Sequence, residues 1–420
     1  MFEIFEECES EVRSYCRKFP ALFSKAKNAI LIDKEGREYI DFFAGAGAIN
    51  FGHNNPYIKK AILDYLADDN IIHALDMYTD AKERFIISLR DKILIPRGLE
   101  YKVMCCGSTG TNAVEAALKL CRKVKKRNNI FAFSGAFHGM TLGSLAMTGD
   151  RTSRRGAGVS MGDVTFMPYF NTFDDPMLSL DYFEKVLKDD HSGIDKPAAV
   201  FLETVQAEGG INVAPVEWLK RLRKICDEND LLMVVDDIQV GVGRTGTFFS
   251  FERADIVPDM VILSKSISGF GLPMSLLLMK PEYDIFKPAE HNGTFRGNQL
   301  AFVGSKAGIE YFCDNALGDI AKEKGGIISD YLNEQILPID DRLVVRGIGM
   351  IAGIDFSKID PKLALEVCHK CFDKGLVIEL AGRDDCVLKI LPPLTISTDD
   401  LERGLNIIRE AVKETLSDHS

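Results

Sequence analysis

The chain has 420 residues, 46% hydrophobic and 27% charged, proportions ordinary for a globular enzyme with a large core and roughly two or three domains. A formal net charge of -11 argues against binding nucleic acid or an anionic membrane through basic patches, and leaves a small charged metabolite open. No apolar run approaches the roughly 18 residues of a membrane span, and the opening MFEIFEECESEVRSYCRKF is too charged for a signal peptide, so a cytoplasmic location is expected.

Residues 30–43, ILIDKEGREYIDFF, read as a hairpin turning at Lys34, Glu35 and Gly36, where the glycine supplies the turn. AGAGAINFGHNNP (44–56) follows, a loop whose small residues permit close backbone approach; it reads either as plain connection or as the border of a ligand site. Helices are expected at 57–65 and 78–94. Residues 101–106 form an apolar strand that turns through GSTGTN (107–112) into the helix AVEAALKLCRKVKK. The glycines allow a tight turn, Asn112 can cap, and the helix start offers free N–H groups to an anion. In isolation this stretch reads as an ordinary capped turn, and without Gly-Lys-Ser/Thr it is no Walker loop.

Strands follow at 130–133 and 197–202, the first leading to the pair Phe137 and His138, the second to Glu203, Gln206 and Glu208. Phe137 can stack on a planar cofactor; on its own the pair reads as a core aromatic beside a satisfied histidine. A helix at 217–229 leads to LLMVV (231–235), a strand buried on both faces that ends in Asp236 and Asp237. Residues 260–263 are a second such run, ending at Lys265. If the two lie in one sheet, an acid and an amine meet at its carboxyl edge, where open α/β sheets bind ligands.

A further strand is expected at 275–279, then the polar loop HNGTFRGNQLAF with Thr294, Arg296 and Asn298 suited to anions, and a helix at 301–312. Alternation of strand and helix to this point indicates an α/β fold with a mostly parallel central sheet covered by helices. Beyond about residue 315 the pattern becomes a helix, strands at 343–348 and 350–356, another helix, and short strands at 376–379 and 387–390, a smaller α+β domain. The division expected is 1–56 contributing to the small domain, 57–314 as the large domain and 315–420 as the rest of the small one. Ten cysteines without a signal peptide read as reduced thiols. The Cys368–Cys371 pair lies in LALEVCHKCFDKG, which reads as a helix closed by Gly375, and with no second pair a metal site is not expected.

Gly241, Gly243 and Gly246 satisfy GxGxxG, but DDIQV intervenes before them, TGTFFSFE is a poor helix start, and no acid stands at the ribose-binding distance. A pyridoxal 5'-phosphate site fits better. That cofactor needs a lysine to bind it, an acid for its ring nitrogen, an aromatic face and a phosphate cradle. Lys265, Asp236, Phe137 and the turn at Gly110 and Thr111 offer these in order.

The segments EGREYIDFFAGAGAINFGHNNP, GSTGTNAVEAALKL, AFHGMTLGSLAMTG, ETVQAEGG, VVDDIQVGVGRTG and DMVILSKSISGFGLPM together resemble the class III (ω) aminotransferases of PLP fold type I, across nearly the whole chain. The resemblance implies transfer of a terminal amino group to an oxo acid, with Lys265 bound to the cofactor and Asp236 at its ring nitrogen. It further implies Gln239 at the phenolic oxygen, Phe137 on the ring beside His138, and Gly110 and Thr111 at the phosphate. Thr294 would reach that phosphate from a partner subunit, so a homodimer is implied. Glu208 and Lys389 would meet the substrate carboxylate, Lys389 standing where many members have Arg and offering only a point charge.

Overall fold

The computed structural model describes residues 2–419, and among them the chain is built around one seven-stranded sheet. Its strands are β1 (Lys102–Gly107), β2 (Ile130–Phe133), β3 (Val164–Met167), β4 (Ala199–Leu202), β5 (Leu232–Asp236), β6 (Met260–Ser264) and β7 (Ser275–Met279). They lie in the order β1-β7-β6-β5-β4-β2-β3, all running one way except β7, which opposes both neighbours. Every residue of β4 to β7 is buried, as apolar runs covered on both faces require.

Side-chain alternation divides the core in two. Ile130, Ala132, Leu232 and Val234 pack with Ala113, Val114 and Ala117 of the helix Gly110–Lys125. Phe131, Phe133, Met233 and Val235 face the opposite side with Phe183 and Trp218. The Trp218 indole donates to Ser179 Oγ at 2.8 Å, so its one polar atom is satisfied inside that core.

Two smaller sheets complete the fold. Val344–Ile348, Ile351–Asp355, Val387–Ile390 and Glu379–Ala381 form an antiparallel sheet on which the helix Leu363–Asp373 packs, itself against the carboxyl-terminal helix Thr398–Asp418. Phe23–Lys27, Ile30–Asp33 and Glu38–Asp41 form a second sheet, completed by Leu376–Val377 running parallel to Glu38–Asp41. The two ends of the chain therefore share a sheet. The single strand expected at 376–379 is in fact two, divided at Ile378 and assigned to different sheets.

β3 and the helices Pro176–Lys188 and Thr398–Asp418 were not among the expected elements. β3 is an edge strand of four residues, three only half-buried, and so lacks a continuous apolar signature. Cys368 and Cys371 are fully buried in their helix, with Cys368 Sγ donating to Ile378 O at 3.1 Å; burial pushes the Cys368 thiol up to about 12.

The helix Gln299–Asp314 meets the turn after β6 through glycines. Gly269, with φ +74°, is so close that a Cβ there would collide with the Gly304 carbonyl oxygen. Gly269→Ala is expected to cost about 2–4 kcal/mol, combining left-handed strain with overpacking. A calorimetric scan should show a clear fall in Tm, and an unchanged Tm would refute this account of the contact.

Candidate active site

Five strands deliver their following residues to one cavity at the carboxyl edge of the sheet. β1 leads to Gly110 and Thr111, β2 to Phe137 and His138, β4 to Glu203 and Glu208, β5 to Asp236 and Gln239, and β6 to Lys265; all of these line the cavity. β5 and β6 are adjacent and parallel, with Asp236 opposite Ile262, so the acid and the amine leave neighbouring strands. Asp236 continues the face of Leu232 and Val234, the side of the Gly110–Lys125 helix.

Asp236 is nearly buried and fixed at both oxygens: His138 Nδ1 lies 2.8 Å from Oδ2, and Oδ1 accepts from Ile238 N at 3.1 Å. His138 is thus a support for the acid, fully buried, with Nε2 lacking a partner. Lys265 is half-buried and has φ +55°, unusual for a side chain with a Cβ and common at functional turns. Burial lowers its pKa, with the Lys389 charge acting the same way and Glu208 opposing.

The glycine-rich stretch 44–56 borders the site as more than connection. Gln239 Nε2 donates to Ala46 O at 2.8 Å and to Glu208 Oε1 at 3.0 Å, and Ser266 Oγ, next to Lys265, donates to Gly47 O at 2.6 Å. Gln239 Oε1 is buried without a partner. At the phosphate turn, Thr109 is the helix cap and Asn112 lies inside the first turn, its Oδ1 accepting from Thr109 N at 3.1 Å; Asn112 is therefore not itself the cap. A Cβ on Gly110 would come 2.7 Å from Ile238 Cδ1, so glycine lets the helix start approach the segment after β5. Thr111 Oγ1 is 2.6 Å from Thr141 Oγ1. The GxGxxG glycines form a turn closed by Val242 N to Phe248 O at 2.7 Å, with no helix after it.

Three expected residues are placed differently. Lys389 is fully buried and does not line the cavity; it stands behind Glu208, 2.7 Å from Oε1, and 2.9 Å from Glu379 Oε2. Burial pushes Glu208 up, but Lys389 and Lys265 outweigh it and hold the carboxyl well below its usual range. Thr294 is exposed and outside the cavity lining of this chain. In the same loop, Arg296 Nε donates to Cys105 O and Asn298 caps the helix Gln299–Asp314, so both have structural partners.

Glu203, Glu379 and Asp237 were given no role from sequence. Glu203 accepts from Phe137 N at 3.1 Å; burial, with Asp236's charge, raises its carboxyl well above the usual value, so it holds a proton. Only its position directly after β4 marked it. Glu379 is an inward-facing acid in an apolar strand, a pattern that by itself signals a partner.

Pyridoxal 5'-phosphate fits this donor set. A helix start freed by glycine suits its phosphate, the unpartnered Gln239 Oε1 and the fixed Asp236 suit its polar ring atoms, and Lys265 supplies an amine of lowered pKa.

The family profile described as Aminotransferase class-III matches residues 13–412. A diaminobutyrate--2-oxoglutarate transaminase of Bordetella parapertussis is 51% identical over 418 residues, spanning 99% of this chain and 96% of that protein. One of Nocardia farcinica is 52% identical over 410 residues, spanning 97% and 93%. Among solved structures, an ornithine aminotransferase of Toxoplasma gondii, with PLP at partial occupancy in its active site, has a TM-score of 0.87 at 24% identity, covering 99% of this chain and 94% of that one. An S-selective transaminase from Arthrobacter sp. with alanine bound gives 0.88 at 22%, covering 99% and 98%. At these identities the structural likeness shows the fold alone.

Asp237 is fully buried, accepts from Ser250 N at 2.9 Å, and burial raises its carboxyl to about 7. The folded form then binds a proton that the unfolded chain has released, so this group's stabilisation is present at low pH and lost as pH rises towards 7. Asp237→Asn keeps an acceptor and removes the titration. Between pH 5 and 8 the variant should gain on wild type by about 3 kcal/mol. Denaturant unfolding at the two pH values checks this, and a constant difference would contradict it.

Proposed function

The chain belongs to the class III aminotransferases, and from that premise we propose that it interconverts L-aspartate 4-semialdehyde plus L-glutamate with L-2,4-diaminobutyrate plus 2-oxoglutarate, using pyridoxal 5'-phosphate. The observation that carries the chemistry is the juxtaposition of Lys265 with an Asp236 locked by His138. The substrate assignment rests on relatives of that name sharing half of this chain's residues over nearly its whole length.

When bound, the cofactor supplies an electron sink for the carbon that gains or loses the amino group. Lys265 Nζ binds the cofactor and, once released, takes and returns the proton at Cγ of diaminobutyrate or Cα of glutamate; the lowered pKa that burial gives it favours the free amine this requires. Asp236 holds a proton on the ring nitrogen, with His138 Nδ1 keeping the carboxylate oriented. Phe137 covers the ring, Gln239 meets the phenolic oxygen, and Gly110 and Thr111 hold the phosphate. Glu208, backed by Lys389, faces the part of the substrate that does not react. One pocket serves both substrates in turn, so ping-pong kinetics follow.

We infer a homodimer in which Thr294 reaches the partner's phosphate. Its exposed position beside Phe295, itself 71% exposed, supports that reading. We place the enzyme in the cytoplasm, supplying diaminobutyrate to ectoine synthesis. No helix among the described residues is long and apolar enough to cross a membrane.

Purified protein loaded with the cofactor should use glutamate with aspartate semialdehyde better than it uses 4-aminobutyrate or ornithine as donor. Glutamate ranking among the poorest donors would move the chain to another ω-aminotransferase activity. Lys265→Ala should lose about 10²–10⁴-fold or more of the turnover rate, as expected on removing a positioned proton carrier.

A further inference from the structure

Beyond the reacting end of the cavity lies an ionised cluster only partly used by the roles above. Glu379 and Lys389 pair directly across antiparallel strands, so their side chains emerge on one face. Lys389 Nζ stands between Glu208 Oε1 at 2.7 Å and Glu379 Oε2 at 2.9 Å, with Lys389 and Glu379 withdrawn from solvent. From the amino-terminal segment, Tyr15 donates to Glu379 Oε1 at 3.0 Å. Glu379 Oε2 is within ion-pair reach of Lys389 yet is not aligned as a hydrogen-bond acceptor and has no other partner. Its charge therefore acts on the surroundings chiefly through space.

A Lys389–Glu208 pair alone would be neutral. With Glu379 the wall carries one negative charge in excess, in a place where little water screens it. Lys265, the other cation that Glu208 feels, is engaged by the cofactor in the loaded enzyme. Of the three groups only Glu208 reaches the cavity, so Glu379 acts through its neighbours.

We propose that Glu379 is a specificity-determining positioning residue, which makes the far wall of the pocket favour a non-reacting ammonium group over a second carboxylate. The inference rests on the reaction assigned above. Beyond its reacting amine, L-2,4-diaminobutyrate carries an ammonium and one carboxylate, whereas L-glutamate carries two carboxylates. The wall attracts the first and resists the second, and Glu379 sets the difference between them.

Glu379→Gln keeps the size and an acceptor for Tyr15 while removing the charge. In the loaded enzyme the KM for L-glutamate and the inhibition constant of glutarate, a non-reacting dicarboxylate, should fall while the KM for L-2,4-diaminobutyrate rises. The ratio of the two KM values should change about tenfold, and Glu379→Asp, which retains the charge, should stay within about twofold of wild type. Loss of structure alone would raise both KM values together; that result, or an unmoved ratio, overturns the proposal. Wild type gives a check that needs no variant: glutarate should inhibit no more tightly than butyrate, and a clear preference for glutarate also overturns it. Wild type inactive on both substrates refutes the reaction assignment instead, whereas active wild type with an unmoved ratio in Glu379→Gln refutes only the role of Glu379.

Discussion

Asp236 and Lys265 leave neighbouring strands into a cavity where both must serve a ligand while kept from bulk water. Each ionisable group at this edge depends on what it touches, because a buried charge without a partner changes its protonation rather than stay charged. Asp236 has an imidazole at 2.8 Å and a backbone N–H. Asp237, one residue on, has a backbone N–H and no cation, and its carboxyl is pushed up to about 7. Glu203 takes a proton, and Lys389 is held between two carboxylates. The same logic leaves Lys265 short of compensation, which suits an amine meant to give up its proton.

The walls of the cavity come from distant parts of the chain, and a buried arginine helps fix them. Arg244, in the turn after β5, donates to Met350 O at 2.9 Å, to Asn50 Oδ1 at 2.6 Å and to Pro392 O, with burial lowering its guanidinium to about 9. Asn50 in turn donates to Val242 O and, through its backbone N–H, to Ser266 Oγ beside Lys265. Thus the amino-terminal loop, the turn after β5 and the carboxyl-terminal segment are tied to the residue next to the lysine. A displacement of any one of them is transmitted to the amine.

Much of the central sheet was legible in the sequence because parallel strands buried on both faces are short, continuous apolar runs with polar punctuation. Those runs by themselves mark Asp236 and Lys265 as residues at strand ends. The placement of Lys389 behind Glu208, and the part taken by Glu379, were not legible, since they depend on register across an antiparallel pair. The split of residues 376–381 between two sheets escaped for a similar reason: both halves are apolar, and only their partners distinguish them. The role of His138 as a support is likewise a matter of topology: β2 and β5 are separated by β4 in one sheet, and the loop after β2 reaches back to Asp236.

The parallel pairing of Leu376–Val377 with Glu38–Asp41 also constrains how the protein is made. During synthesis the hairpin Ile30–Asp33 and Glu38–Asp41 leaves the ribosome early, yet the strand that covers its open edge is among the last to emerge. β1 waits likewise for β7. For most of translation the nascent chain carries unpaired strand edges, a state prone to misassociation. Folding is therefore biased towards a late, cooperative closure after release, and a chain truncated before residue 376 would lack a strand of its first sheet, far from the site of truncation.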